Sequence, residues 1–344
     1  GMAVPEKVKK MLTLGNASFY KLENGLRQYW DFASESYKPV QVSANIVSLA
    51  GLKADDKLVK TCPSASLVDL GDDVYCLEFH SKMNAINGDI VDFMGEALEY
   101  VDANGAGLVI GNQAGGMPGA FCAGGDLAFM GGLAKEGKYA EIDAFLKRGQ
   151  EGMQRVRYSS LPVVAAPFGL TLGGGAEVCL GCADKLVAHS ELYMGLVEIG
   201  VGLLPGGGGC LNLWKKMTAD IPSQIKDADL AKYFLPTFMA IAMAKVSMSA
   251  AEARANGFLG PRDRIAFNRD YLIGEAKKDV LKMLDEGYAP PPKRKVKVIG
   301  TAAQGMVDAE IFNMQSAGFV SEYDAFLARR VAYVISGGNV RSNS

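Results

Sequence analysis

The hydrophobic and polar positions along the chain change rhythm twice. Up to residue 61, short helical patterns mix with the aromatic-rich run from Phe19 to Phe32, whose alternation about Asn24-Gly25 predicts a hairpin. Residues 66–80 then predict two short strands around Gly71-Asp72-Asp73, and Asn87 to Ala103 repeats with helical period, placing Ile90, Phe93, Met94, Ala97 and Leu98 on one face. The short apolar runs Gly107–Gly111, Pro162–Ala166 and Lys185–Ala188 predict buried strands. Strand and helix therefore alternate through 66–215, which predicts an α/β core. From about residue 227 the pattern turns helical, over Tyr233–Lys245, Ala250–Asn256, Arg269–Leu284 and Ala309–Ile335. Three regions follow: an N-terminal appendage over 1–61, a core over 62–262 and a helical C-terminal region over 263–344.

Composition narrows the function classes. The 344 residues carry 36 Lys+Arg against 38 Asp+Glu, a net charge of −2 that removes the usual argument for a nucleic-acid or anionic-membrane partner. Hydrophobic residues at 49% can fill a sizeable core. The most apolar stretch, Leu161–Gly181, is interrupted by Pro162, Pro167, several glycines and Glu177, unlike any lipid-spanning helix. Gly1 to Leu12 has no apolar signal core, and the leading Gly1 reads as a cleavage scar. Two histidines count against a histidine-rich metal site, so no metal is expected. The six cysteines read as reduced, mostly buried thiols of a cytoplasmic protein. Cys179-x-x-Cys182 has the form of a redox or zinc half-motif but lacks a second pair. The basic run Lys293-Arg-Lys-Val-Lys297 is bordered by prolines and reads as a solvated linker rather than a nucleic-acid tag.

Glycine is the outlier, and it is clustered: residues 105–132 hold ten and residues 169–209 hold twelve of the 41. The first island contains Phe121-Cys-Ala-Gly-Gly-Asp-Leu127. The second runs from Pro162 through Leu172-Gly-Gly-Gly-Ala-Glu177 and is followed by Gly195-Leu-Val-Glu198 and Pro205-Gly-Gly-Gly-Gly209. Each reads as strand, glycine turn and helix start, a geometry that leaves main-chain N–H groups pointing outward with the positive end of a helix dipole behind them. Two such sets facing one another would hold a developing oxyanion. Glu177 and Glu198, each in an apolar, glycine-rich setting, would have raised pKa values suited to proton transfer near neutrality. Tight packing around the glycines and structural pairing of each Glu would account for either element alone; their joint occurrence, in this order, favours chemistry.

These three motifs together resemble the crotonase, or enoyl-CoA hydratase/isomerase, family over roughly residues 66–260. The whole chain further resembles the hydratase part of bacterial proteins that fuse 3-hydroxyacyl-CoA dehydrogenase to enoyl-CoA hydratase, through Ser18-Phe-Tyr-Lys-Leu-Glu-Asn-Gly25, Ala242-Met-Ala-Lys-Val-Ser247 and the proline-bordered basic run. The resemblance implies an α/β fold, a core of repeated ββα spiral turns with a helical C-terminal region. It implies hydration of trans-2-enoyl-CoA in fatty-acid β-oxidation. Gly125 and Gly174 would supply the oxyanion amides, Glu177 and Glu198 the acid–base pair, and Gly206 an amide near the attacked water. Lys82, Ala123, Gly124 and Asp126 would fall in the stretch that holds coenzyme A, which enters as part of the acyl-CoA thioester rather than as a cofactor. Trimers or dimers of trimers are implied, with a dehydrogenase domain absent from this chain, and a C-terminus shorter than that subgroup carries. Isomerase or thioester hydrolase chemistry on the same fold, or a non-catalytic CoA-binding module, are the alternatives. Retention of both glutamates favours the hydratase. Two positions depart from the family pattern: Leu196 replaces a usual polar residue, and Phe168 stands where many members have Asn, altering the expected site lining. No G-x-G-x-x-G follows a first strand, so dehydrogenase activity is not expected.

Overall fold

The computed structural model describes residues 3–23, 26–40, 43, 45–113, 119–222, 224–225 and 228–341. A short helix α1 (Glu6–Thr13) precedes β1 (Tyr20–Glu23), β2 (Leu26–Asp31) and β3 (Ser36–Pro39), an antiparallel meander in the order β1-β2-β3. The predicted hairpin is thus present in its strands, while Asn24 and Gly25 lie outside the described residues.

After α2 (Leu49–Ala54) and β4 (Leu58–Thr61), the strands β5 (Ala65–Asp69) and β6 (Val74–Phe79) form the hairpin predicted around Gly71, with Asp72 and Asp73 at φ +54° and +57°. Both strands are buried almost throughout. The helix α3 (Gly88–Asn104) packs against them with the predicted apolar face and is capped by the Asn87 side chain, which accepts from the Ile90 N–H.

From here the chain spirals. The strands β7 (Gly107–Ile110) and β8 (Ala120–Cys122) precede α4 (Leu127–Lys135) and α5 (Tyr139–Arg157). The strands β9 (Val163–Ala165) and β10 (Gly169–Leu172) precede α6 (Gly174–Gly181). The strands β11 (Lys185–His189) and β12 (Leu192–Gly195) lead through a 3-10 turn (Glu198–Val201) to α7 (Gly209–Met217). Successive strands fall alternately in two sheets, so each turn contributes one strand to each: β12-β10-β8, all parallel, and part of a seven-stranded sheet ordered β13-β11-β9-β7-β6-β5-β4. This is the expected ββα spiral. Its parallel strands are short apolar runs, as strands covered on both faces are. The three glycine turns that end β8, β10 and β12 consequently gather at one end of the small sheet.

The helices α8 (Ala231–Ala242) and α9 (Ala250–Ala255) lead to β13 (Arg264–Ala266), which pairs in parallel with β11. The large sheet therefore draws an edge strand from either side of residues 62–262: β4 at one edge and β13 at the other. The helix α10 (Leu272–Asp285) packs on β7, β9 and β11. The continuous helix expected over 309–335 is instead two, α11 (Thr301–Ser316) and α12 (Glu322–Ile335). Gly318 takes φ +73° between them, and Ser321 with Asp324 forms a reciprocal capping box that starts the second. Among the described residues no helix is long and apolar enough to cross a membrane.

Trp214 joins α7 to the irregular segment before α11. It is 1% exposed, its Nε1–H donates to the Lys297 carbonyl at 2.9 Å, and its ring meets Phe234 edge-on at 6.3 Å. Trp214→Ala should lower the unfolding free energy by about 3–5 kcal/mol, read from urea midpoints at constant slope.

Candidate active site

Three loops converge on one point. Gly173, at φ +51°, turns the chain from β10 into α6, a conformation open to glycine alone at little strain. Its N–H donates to the Gly195 carbonyl at 2.9 Å, fastening the β10 turn to the end of β12. A Cβ on Gly174 would lie 3.4 Å from the Gly125 nitrogen, and one on Gly124 would lie 3.8 Å from the Gly174 nitrogen. The Gly125 and Gly174 amides are therefore neighbours across the gap between β8 and β10. Among the described residues, neither donates to a protein acceptor. Gly175 makes this approach possible: a Cβ there would fall 2.4 Å from the Cys122 carbonyl oxygen.

Glu177 sits in the first turn of α6, 4% exposed. Its Oε1 accepts from the Gly207 and Gly209 N–H groups, each at 2.8 Å. Burial pushes its pKa up, while those two amides pull it down by favouring the ionised form. Glu198 opens the 3-10 turn after β12, with its Oε1 3.2 Å from where a Gly173 Cβ would stand. Both its carboxylate oxygens are buried and, among the described residues, have no hydrogen-bond partner. Burial first, and the charge of Glu177 second, push its pKa up to about 8. The two carboxyls thus lie together with both pKa values raised by burial; two amides favour the ionised form of Glu177, and the charge of Glu177 further opposes ionisation of Glu198.

The other expected residues are placed as follows. Lys82 is exposed on a 3-10 turn (Lys82–Asn84) whose Met83 carbonyl accepts from the Ala123 N–H at 3.2 Å, so the two expected CoA segments are tied together. Met83 and Asn84 both adopt positive φ, and Asn84 is anchored by donating to the Ala120 carbonyl at 2.8 Å. Gly124 takes φ +114°. Asp126 caps α4, accepting from the Ala128 and Phe129 N–H groups at 3.0 and 3.1 Å. The Gly206 carbonyl accepts from the Gln150 side chain at 2.6 Å; it is the next residues, Gly207 and Gly209, whose amides reach Glu177. Those two amides escaped the sequence reading, since the glycine run marks the turn without showing which N–H meets a carboxylate 30 residues away.

Of the two departures, Leu196 lies against the site: it is fully buried, and a Cβ on Gly209 would come within 2.7 Å of its Cδ2. Phe168 instead packs in the core at 1% exposure, with the Arg269 guanidinium 3.8 Å over its ring. All six cysteines are free, and Cys179 and Cys182 are buried. Among the described residues, no cluster of three or more His, Cys, Asp or Glu could hold a metal.

Residues 72–225 match the family model described as enoyl-CoA hydratase/isomerase. Over those residues the chain is similar to that family. It is 43% identical over 340 residues to a probable 3-hydroxyacyl-CoA dehydrogenase of Bacillus subtilis, covering 99% of this chain and 41% of that protein. A putative fatty acid oxidation complex trifunctional enzyme of Rickettsia felis is 30% identical over 173 residues, covering 50% of this chain and 23% of its own length. The chain thus spans less than half of either relative. The solved structure of an enoyl-CoA hydratase from Bacillus anthracis superposes with a TM-score of 0.52 at 20% identity, over 79% of this chain and 90% of that one, which shows the crotonase fold.

Proposed function

We propose that this chain hydrates trans-2-enoyl-CoA thioesters to 3-hydroxyacyl-CoA, as a step of fatty-acid oxidation. The observation that carries the reading is the pairing of two amides, Gly125 and Gly174, that donate to no protein acceptor among the described residues, with two buried carboxyls, of which Glu177 is held by two amides and Glu198 has its pKa raised to about 8. The thioester carbonyl would lie between the amides, which bind more tightly as enolate charge develops on its oxygen. Ionised Glu177 takes a proton from water while hydroxide adds to C3, and protonated Glu198 gives its proton to C2. Water is added across the double bond without oxidation or reduction, and proton exchange through solvent restores the pair. Coenzyme A enters and leaves as part of the substrate, with the Lys82 turn and the Ala123–Asp126 stretch proposed to hold it.

Assembly into trimers or dimers of trimers, a cytoplasmic location and a partner dehydrogenase domain belong to the same reading; the last is supported by the name and length of the Bacillus subtilis relative, of which this chain covers 41%. Dehydrogenation itself is not assigned to residues 1–344.

The test is loss of absorbance at the enoyl-thioester band with crotonyl-CoA and with a longer 2-enoyl-CoA. Turnover is expected; coenzyme A binding without turnover would overturn the reading. The pH profile should have two limbs. Because Glu198 must be protonated to donate, the rate should fall as pH rises through about 8. Because Glu177 must be ionised to accept, it should also fall on the acid side, with an apparent pKa above the ordinary 4.5. A rate unchanged between pH 5 and 9 would contradict paired acid–base work.

A further inference from the structure

We infer that Tyr323, in the C-terminal helix α12, is a positioning residue for Glu198: its hydroxyl holds the turn that carries the Glu198 carboxyl. The inference rests on the hydration reading above and adds a residue remote in sequence from every motif of the site.

With no hydrogen bond to either carboxylate oxygen among the described residues, the Glu198 side chain is placed by packing, as against Gly173, and by the turn that carries it. That turn is closed largely from within. The Gly202 N–H donates to the Ile199 carbonyl and the Leu203 N–H to the Glu198 carbonyl, each at 3.0 Å. Gly202 ends the turn in the left-handed region at φ +78°, and its carbonyl accepts from the Tyr323 hydroxyl at 2.9 Å. Among the described residues, this is the one hydrogen bond that reaches residues 198–203 from beyond residue 197 or 203. The ring also lies against the turn, with its Cε1 3.4 Å from where a Gly202 Cβ would stand.

Tyr323 is itself held. It lies in the first turn of α12, within the Ser321–Asp324 capping box, and α12 is anchored by buried Ala325, Leu327, Val331 and Ile335. Its ring stacks on Phe326 at 6.1 Å, and Phe326 lies 4.9 Å beneath the Arg330 guanidinium. The start of a helix packed on α7 and α8 thus bonds to a turn whose carboxyl has no hydrogen bond of its own among the described residues. The ionisable groups that bear on Glu198 from the packed elements are Glu177, from α6, and Cys210, from α7. The Tyr323 hydroxyl meets main chain rather than carboxylate, so it acts through geometry.

Tyr323→Phe keeps the ring and its stack and removes the hydroxyl alone. With crotonyl-CoA, kcat should fall about tenfold while KM stays within about twofold, since a small displacement of a reacting group costs rate rather than binding. The alkaline limb of the pH profile should move to lower pH, because a carboxyl freed toward water returns toward the ordinary carboxylate range. In a Glu198→Gln background the same change should have no further effect on the residual rate. A merely structural hydroxyl would lower both backgrounds equally and leave the limb in place, which would overturn the inference, as would a Tyr323→Phe enzyme equal to wild type. If wild type itself does not hydrate crotonyl-CoA, the hydration reading fails. If wild type turns over and needs Glu198 but not the Tyr323 hydroxyl, the positioning role alone fails.

Discussion

Glu177→Gln and Glu198→Gln should each lower kcat for crotonyl-CoA hydration by about 10²–10⁴-fold with little change in KM, the range that positioned acid–base groups contribute. Each replacement keeps the shape of the side chain. At position 177 the amide oxygen can still accept from Gly207 and Gly209, so the loop that binds Glu177 should stay in place. At position 198 there is no hydrogen bond to lose among the described residues. Both changes exchange an ionisable group that burial disfavours for a neutral one, so the unfolding temperature should hold or rise. Steady-state rates beside thermal melts separate loss of chemistry from loss of fold. A one-carboxylate reaction, such as double-bond isomerisation, predicts instead that one of the two variants keeps near-full activity.

Gly175→Ala should lower kcat about 100-fold, the scale of losing one oxyanion donor. The added methyl would stand 2.4 Å from the Cys122 carbonyl oxygen and 2.8 Å from its Cβ, both part of strand β8 rather than a flexible side-chain tip. The start of α6 must therefore move away from β8, parting the Gly174 amide from the Gly125 amide. Gly131→Ala is the matched control. It lies in the other glycine-dense stretch of the chain, within α4, but a Cβ there meets nothing within 4 Å. Helix propensity favours alanine there by up to about 1 kcal/mol, so that variant should be as active as wild type and at least as stable. Equal activity of the two variants would show that the amide pair does not depend on this contact.

Much of the site was legible because its chemistry is carried by local pattern. The glycine turns and the two embedded glutamates are short-range features, and strands of three to six residues announce themselves as apolar runs whichever sheet they join. The split between α11 and α12 was also written locally, in Gly318 and in Ser321-x-x-Asp324, but helical periodicity on both sides concealed it. Phe168 illustrates a different failure. Its place in the family-like motif suggested the site lining, yet the corner between β9 and β10 turns the ring into the core beneath Arg269.

By itself, the sequence determined the α/β alternation, the turns that expose main-chain amides, and which two carboxylates are candidates for proton transfer, while the spiral was legible only through the family resemblance. Periodicity, glycine φ requirements and residue chemistry act over a few neighbouring residues, so a linear reading captures them. Only the tertiary structure decided that Gly125 and Gly174 are neighbours, that the Gly207 and Gly209 amides hold Glu177, that Glu198 has no hydrogen-bond partner among the described residues, and that Tyr323 reaches its turn from 121 residues downstream. These are contacts between distant segments, set by how the two sheets and the C-terminal helices pack, and the burial that raises the pKa of both glutamates arises from that packing.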